Sequence, residues 1–211
     1  MRNERAANYL CHEECTIETG DHQDHTFSGI MFGIQSKSAL PVDFIEVTGV
    51  SVRGRLGPMT VWTTPGDYRG KHENKEEWDL VFNEERTQSI NKLVPLHFDK
   101  PLRIAPNERW SIYVHSQLYG DEGVVYDNQR SRITHEDEHM QILPAIAHLS
   151  GTPFSPHAWG WGTWRDRRAF VGRLEYSIRY LLWSPKVHSR YNRGFRRSVC
   201  TMLCCQRRPE S

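Results

Sequence analysis

The sequence lacks an excess of charge of either sign: 27 Lys and Arg stand against 26 Asp and Glu, a formal net charge of +1. That balance makes no global case for nucleic acid. No apolar run approaches the roughly 20 residues that a membrane-spanning helix needs. Residues Met1–Leu10 are polar and charged and have no apolar centre, so no secretory leader is expected. Cysteine is missing from the interior of the chain, since Cys11, Cys15, Cys200, Cys204 and Cys205 all lie near the ends. An odd count in that placement does not make a secreted disulfide framework, and a reducing, cytoplasmic location is expected. There is no Walker loop, no G-x-S-x-G and no dinucleotide fingerprint. No window before Leu181 keeps a helical period.

What the sequence does have is aromatic residues: seven Trp, eight Tyr and eight Phe. These favour half-buried pleated surfaces and fill sandwich cores. Ile30, Phe32 and Ile34 alternate with Met31 and Gly33, as a strand does. Val42–Val52 reads as one strand or a bent pair, its alternation slipping between Phe44 and Ile45 with Gly49 following, as a bulge would have it, and Arg53–Pro58 reads as a turn. Val61 and Trp62 fall on opposite faces of the next strand. Trp110, Ile112 and Val114 alternate with Ser111, Tyr113 and His115. Asp99-Lys100-Pro101 reads as a turn, and Pro144 as an edge or a bend. Phe170–Tyr180 has the cleanest alternation, with Phe170, Leu174, Tyr176, Ile178 and Tyr180 on one face and Arg173, Glu175, Ser177 and Arg179 on the other.

Short strands separated by Pro/Gly turns imply an all-β protein, an antiparallel β-sandwich or jelly roll. The expected organisation is a flexible polar arm over residues 1–26, a sandwich over 27–183, and a basic, cysteine-containing tail over 184–211. Residues 186–211 hold seven Lys and Arg and one Glu, hence +6, which leaves −5 on the rest. A tail of that charge, with Cys200, Cys204 and Cys205 as acylation candidates, suits an anionic membrane surface and peripheral association; the competing expectation is a solvated tail.

Three groups of landmarks carry a resemblance: Gly29–Ile34; Val61–Gly70 followed by Trp78; and Ile142–Pro144 through Pro153-Phe154 to Phe170–Tyr176. Together they resemble an uncharacterised β-sandwich domain of microbial and protist multidomain proteins. The segment Phe98–Pro106 is similar to the PHR jelly roll of certain ubiquitin-ligase adaptors. The resemblance spans about Phe27 to Tyr180 and implies an architecture, with a substrate-recognition adaptor in a ubiquitin-ligase complex as one function.

Several residue sets bear on chemistry. Trp159, Trp161 and Trp164, followed by Arg165, Arg167 and Arg168, combine faces that stack on sugars with guanidinium groups that grip carboxylate or phosphate. Tyr68 and His72 sit in the long loop before Trp78. These residues define the expected surface of a non-catalytic module that binds a protein or a glycan. The competing reading has the tryptophans capping the open end of the sandwich. His135-Glu136-Asp137-Glu138-His139 matches H-E-x-x-H, which on a helix would place His135 and His139 on zinc and make Glu136 a general base. The acidic intervening positions and Pro144 speak against that helix. Cys11, Cys15, His22 and His25 form a second zinc-compatible set, against the simpler reading of an arm with scattered ligands. Gly120–Gly123 with Asp127 and Asn128 offers oxygen ligands for calcium, with a solvated turn as the plainer reading.

Overall fold

Alternation of inward and outward side chains, the period of a pleated strand, runs through most of the chain. A computed structural model describes residues 9–22, 25–37, 41–118, 122–158 and 161–182. Their strands are β1 (Tyr9–Glu18), β2 (His25–Phe27), β3 (Gly29–Ser36), β4 (Val42–Gly54), β5 (Gly57–Pro65), β6 (Asp79–Arg86), β7 (Ser89–Ile104), β8 (Arg109–Ser116), β9 (Val124–Asn128), β10 (His135–Glu136), β11 (Met140–His148), β12 (His157–Ala158), β13 (Trp161–Gly162), β14 (Trp164–Phe170) and β15 (Arg173–Leu182). One 3-10 turn covers Lys75–Glu77.

The protein is an all-β sandwich of two antiparallel sheets. The small sheet has the order β1-β15-β4-β7. The large sheet has the order β2-β9-β14-β11-β3-β8-β5-β6, with β10 also paired to β11. Between them lies a core to which the small sheet contributes Ile45, Val47, Val50, Leu174 and Ile178, and the large sheet Ile30, Phe32, Ile112, Val114 and Phe170. Phe32 and Phe170 stack with ring centres 4.1 Å apart.

Four elements differ from the sequence reading. Residues 9–18 are not an arm; they pair along their whole length with β15. The inward positions Glu13, Cys15 and Ile17 alternate with exposed His12, Glu14, Thr16 and Glu18, so the strand period is carried by burial and hardly by hydropathy. The Phe170–Tyr180 run is two strands. It breaks at Val171-Gly172, where the chain leaves the large sheet for the small one and Thr19 Oγ1 bonds to both the amide and the carbonyl of Gly172. Asp99-Lys100-Pro101 lies within β7, where the ladder to β4 jumps from Leu102 to His97 while β4 advances only from Val47 to Gly49. Pro144 lies in a central strand. It sits in a bulge between Ile142 and Ala145, where a missing N–H breaks no ladder bond. The tail over 184–211 lies outside the described residues, as do Trp183 and residues 1–8.

The Arg53–Pro58 turn forms as expected and is the corner where the chain crosses from β4 to β5. Gly54, Leu56 and Gly57 have φ of +143°, +57° and +72°. Leu56 accepts the left-handed cost because its side chain is fully buried and its N–H donates to the Gly123 carbonyl at 3.1 Å. A Cβ on Gly54 would stand 2.2 Å from that carbonyl oxygen, which is backbone and cannot swing aside. Gly54→Ala is therefore expected to destabilise the fold by on the order of 3 kcal/mol, read as a lowered denaturation midpoint with an unchanged m-value.

Candidate binding surface

The middle of the large sheet is buried on both faces. In β3, Ile30, Phe32 and Ile34 point into the core and Met31 points out. In β5, Val61 points in and Trp62 out; in β8, Ile112 and Val114 point in and Tyr113 out; in β11, Ala145 and Ala147 point in and Ile146 out. The outward residues join Tyr68, Trp78 and Phe154 in a second apolar cluster, with Trp164 packed against it. Two loops cover this face: residues 66–78 between β5 and β6, and, between β11 and β14, the described residues 149–158 and 161–163.

Strand register lays Thr60, His115, Gly29, His148 and Trp164 side by side across five neighbouring strands. Gly29 has a steric reason to be glycine. A Cβ there would lie 2.9 Å from ring carbons of both His115 and Tyr113. The rings of Tyr113, His115 and His148 close over it, with centres 5.3–5.9 Å apart.

Hydrogen bonds tie the second loop to these rings. His115 Nε2 meets the Ser150 carbonyl at 2.8 Å, and His148 Nε2 meets the Ser155 carbonyl at 2.9 Å. A carbonyl only accepts, so in both rings Nε2 carries the proton. His148 Nδ1 is then an acceptor, and the Tyr113 hydroxyl donates to it at 2.6 Å. Thr163 Oγ1 also donates to the Ser155 carbonyl, and Ser28 Oγ donates to that of Leu149. Burial pushes the His115 imidazole down to about 3 and that of His148 down to about 4. Both rings are neutral at pH 7. Phe154, 4% exposed, packs edge-on to Trp62 and Tyr113, and it keeps φ at +63° to do so.

The structure brings the two sequence-chosen loops together. His72, from the first, packs T-shaped against Trp164, from the second, with ring centres 5.3 Å apart. Trp164 is half-buried and stacks on His148 with ring centres 3.9 Å apart. Tyr68 differs from expectation: it is 1% exposed, its hydroxyl donates to the Pro144 carbonyl, and burial raises its pKa. It supports the loop and offers no surface. Arg167 is exposed, and Arg165 and Arg168 are partly so. Trp159 and the side chain of Trp161 lie outside the described residues.

The H-E-x-x-H segment is extended and not helical. Residues 135–140 turn a hairpin in which His135 and Glu136 pair with Ile142 and Gln141, so no helix sets the two imidazoles on one face. The cause is local: Asp137 Oδ1 accepts the amides of both His139 and Met140, a turn that competes with helix. Glu136 pairs with Lys37 at 2.7 Å, and that contact holds its carboxyl below the usual range. Asp137 also accepts from the Tyr176 hydroxyl, which links the hairpin to the small sheet.

Of the second zinc-compatible set, Cys15, His22 and His25 are described and sit on different elements. Cys15 packs on the core from β1, and burial pushes its thiol up to about 11. The exposed His22 follows β1, and its amide binds Asp127 Oδ2. His25, on β2, stacks with Tyr126. The side chain of Cys11 lies outside the described residues, as does Asp121 of the calcium-compatible loop. Among the described residues no three His, Cys, Asp or Glu side chains are arranged to hold a metal ion.

Sequence reasoning missed His115, His148 and Phe154. A signal was present: both histidines fall at outward positions of strands whose other outward residues, Tyr113 and Ile146, are large and apolar. Such a strand is covered on both faces.

The lowered histidine pKa values give stability a pH dependence. Unfolded, each imidazole titrates near the ordinary 6.5; folded, they titrate near 3 and 4. Between these limits the unfolded chain binds more protons, so stability is full above about pH 6.5 and falls as pH drops toward 4. Each ring contributes a slope of up to ~1.4 kcal/mol per pH unit. Urea denaturation from pH 4 to 7.5 is expected to show this slope, and the His115→Asn, His148→Asn double variant to lose most of it.

Comparison with protein-family profiles and with curated proteins finds no match for this chain.

Proposed function

We propose that this chain is a non-catalytic binding module that presents the rim of its large sheet to a protein or glycan partner. The observation that carries the reading is the meeting of His72 and Trp164 over a face whose second loop is anchored by hydrogen bonds from His115 and His148. A surface fixed before binding loses less conformational entropy when a partner arrives. The contact residues are His72, Trp164, Arg165, Arg167 and Arg168, with Trp159 and Trp161 as further candidates from the same loop. Tyr68 acts beneath them.

Two other readings draw less support. A zinc hydrolase built on His135, Glu136 and His139 has no helical frame. The adaptor role in a ubiquitin-ligase complex rests on the resemblance of Phe98–Pro106 to a PHR domain; it is one form that a protein partner would take. An anionic membrane remains a separate partner proposal for the basic tail, since the described surface does not include it.

The test is capture on the immobilised full chain, from extract and on a glycan array, with three proteins side by side. Wild type is expected to retain a saturable partner. The variant His72→Ser, Arg165→Glu, Arg167→Glu is expected to retain it at least about tenfold less well, a loss of ~1.4 kcal/mol or more. Arg103→Glu, on the outer face of the small sheet, is expected to behave as wild type. Equal binding by all three proteins, with unchanged thermal unfolding, would remove the proposal.

A further inference from the structure

Eight described arginines are ion-paired: Arg53, Arg55, Arg69, Arg86, Arg103, Arg109, Arg173 and Arg179 each have a carboxylate within 4 Å. Five are not: Arg130, Arg132, Arg165, Arg167 and Arg168 make no ion pair among the described residues. These five belong to two touching segments. Arg165, Arg167 and Arg168 are on β14, and the Gln129 amide, at the start of the β9–β10 loop, donates to the Arg167 carbonyl at 2.9 Å. Arg130 and Arg132 follow directly in that loop and are exposed.

The backbone turns this segment outward. The ladder from β11 to β14 slips between Ala145 and Ala147, which face Arg168 and Arg165. Asp166 and Arg167 thus bulge opposite Ile146, and Arg167 has φ of +58°. A bulge re-aims the side chain it carries, and here the exposed one is a guanidinium. Arg165 and Arg168 bond only to main-chain carbonyls, of Gly162 and Trp164 and of Asp166 and Arg167; the Arg168 guanidinium also lies 5.8 Å above the Tyr126 ring. The carboxylate of Asp166 is exposed, and its field reaches toward Tyr68 and Arg69 on the outer loop.

We infer that this arginine rim is the contact for an extended acidic peptide segment, whose carboxylates or phosphates the guanidiniums receive in bidentate fashion. The inference rests on the binding-module reading and names its partner class. Arginine clusters recognise such oxyanions by charge and by planar fork geometry. The rim is small, and residues 1–185 around it carry a net −5. A short acidic segment finds its complement there, whereas a long polyanion continuing over the body meets like charge. Trp164, the nearest described tryptophan, has one face stacked on His148 and His72 packed T-shaped against it, so it offers at most one face for the base stacking that single-stranded nucleic acid uses.

The experiment is fluorescence anisotropy on the full chain with four labelled probes: an oligoglutamate, a Gly-Ser peptide carrying phosphoserines, a neutral Gly-Ser peptide, and oligothymidine. The acidic peptides are expected to bind more tightly than the neutral one and to weaken as ionic strength rises. Arg130→Glu, Arg132→Glu, Arg167→Glu is expected to lower their affinity about tenfold or more, and Arg103→Glu to leave it unchanged. The milder triple change to Gln, with thermal unfolding as a folding control, is expected to fall between. Whichever acidic peptide binds better identifies carboxylate or phosphate as the oxyanion source. The inference is overturned by acidic peptides that bind no better than the neutral one, by a triple variant that binds them unchanged, or by oligothymidine binding tighter than both. If capture still depends on Arg165 and Arg167 in those cases, the module stands and only the partner class falls.

Discussion

Two imidazole N–H groups hold the outer face of this protein together. His115 and His148 rise from neighbouring positions across β3 and each donates to a carbonyl of one loop, at Ser150 and Ser155. The covered side of the large sheet follows from that pairing. The anchored carbonyls bracket Phe154, which is driven into the left-handed region at a cost of about 1–2 kcal/mol. Its burial against Trp62, Trp78 and Tyr113 offsets that cost, since a buried aromatic ring stabilises by about 1.5–3 kcal/mol. Without the histidine donors, the Ser150 carbonyl would lose its side-chain donor, at about 1–3 kcal/mol, and the Ser155 carbonyl would keep only Thr163 Oγ1. The rings are neutral because they are buried, and that of His148 stacks on Trp164.

The two outer faces of the sandwich differ accordingly. That of the small sheet is polar and self-neutralised. Arg103 and Arg179 share Glu46, Arg173 meets Glu18, and Glu175 accepts from Ser51 and lies 3.4 Å from His97. Exposed pairs of this kind stabilise by about 1 kcal/mol at most, so their effect is chiefly to keep that face solvated. The exposed edge at β7 carries Lys92, Pro95, Lys100 and Pro101, residue types that discourage another strand from pairing there. The large sheet instead buries aromatic rings under two loops and leaves guanidinium groups at its rim without carboxylates.

The fold was legible wherever hydropathy and burial share a period. In β3, β8 and β15 the inward residues are Ile, Phe, Val, Leu and Tyr, and alternation identifies both strand and face. It failed in β1, where Glu13 and Cys15 occupy inward positions and only Ile17 is a conventional core residue. Backbone pairing to β15 decides that strand, and pairing leaves no mark in composition. It also failed at Gly172, where continuous alternation hides a passage from one sheet to the other. The loops 66–78 and 156–168 were singled out by their Trp, Arg, Tyr and His content. Their mutual contact was invisible, because Trp164 and His72 are more than 90 residues apart and meet only through the order of five strands. Tyr68 was assigned to the surface because its neighbours are polar; its hydroxyl reaches a carbonyl freed by the bulge at Pro144, which no local pattern announces.

That bulge and the one at Arg167 connect the histidine pair to the arginine rim. Trp164 begins β14 and is clamped between His148 and His72, so the strand enters its bulge from a fixed point. Three residues on, at Arg167, the backbone is in a conformation that a long side chain adopts only under constraint, and the Gln129 amide grips the carbonyl of that same residue. The exposed Arg167 guanidinium thus keeps rotamer freedom while its Cα position does not, and Arg165 and Arg168 are steadied by main-chain carbonyls. Rigid placement of flexible cations limits the ordering cost of binding to the side chains alone, on the order of 0.5–1.5 kcal/mol each. It also explains how arginines can stand close together without carboxylates. Their repulsion is screened by water and salt at the rim, while the strand that bears them is secured by apolar and hydrogen-bonded contacts on its other side, which do not depend on charge.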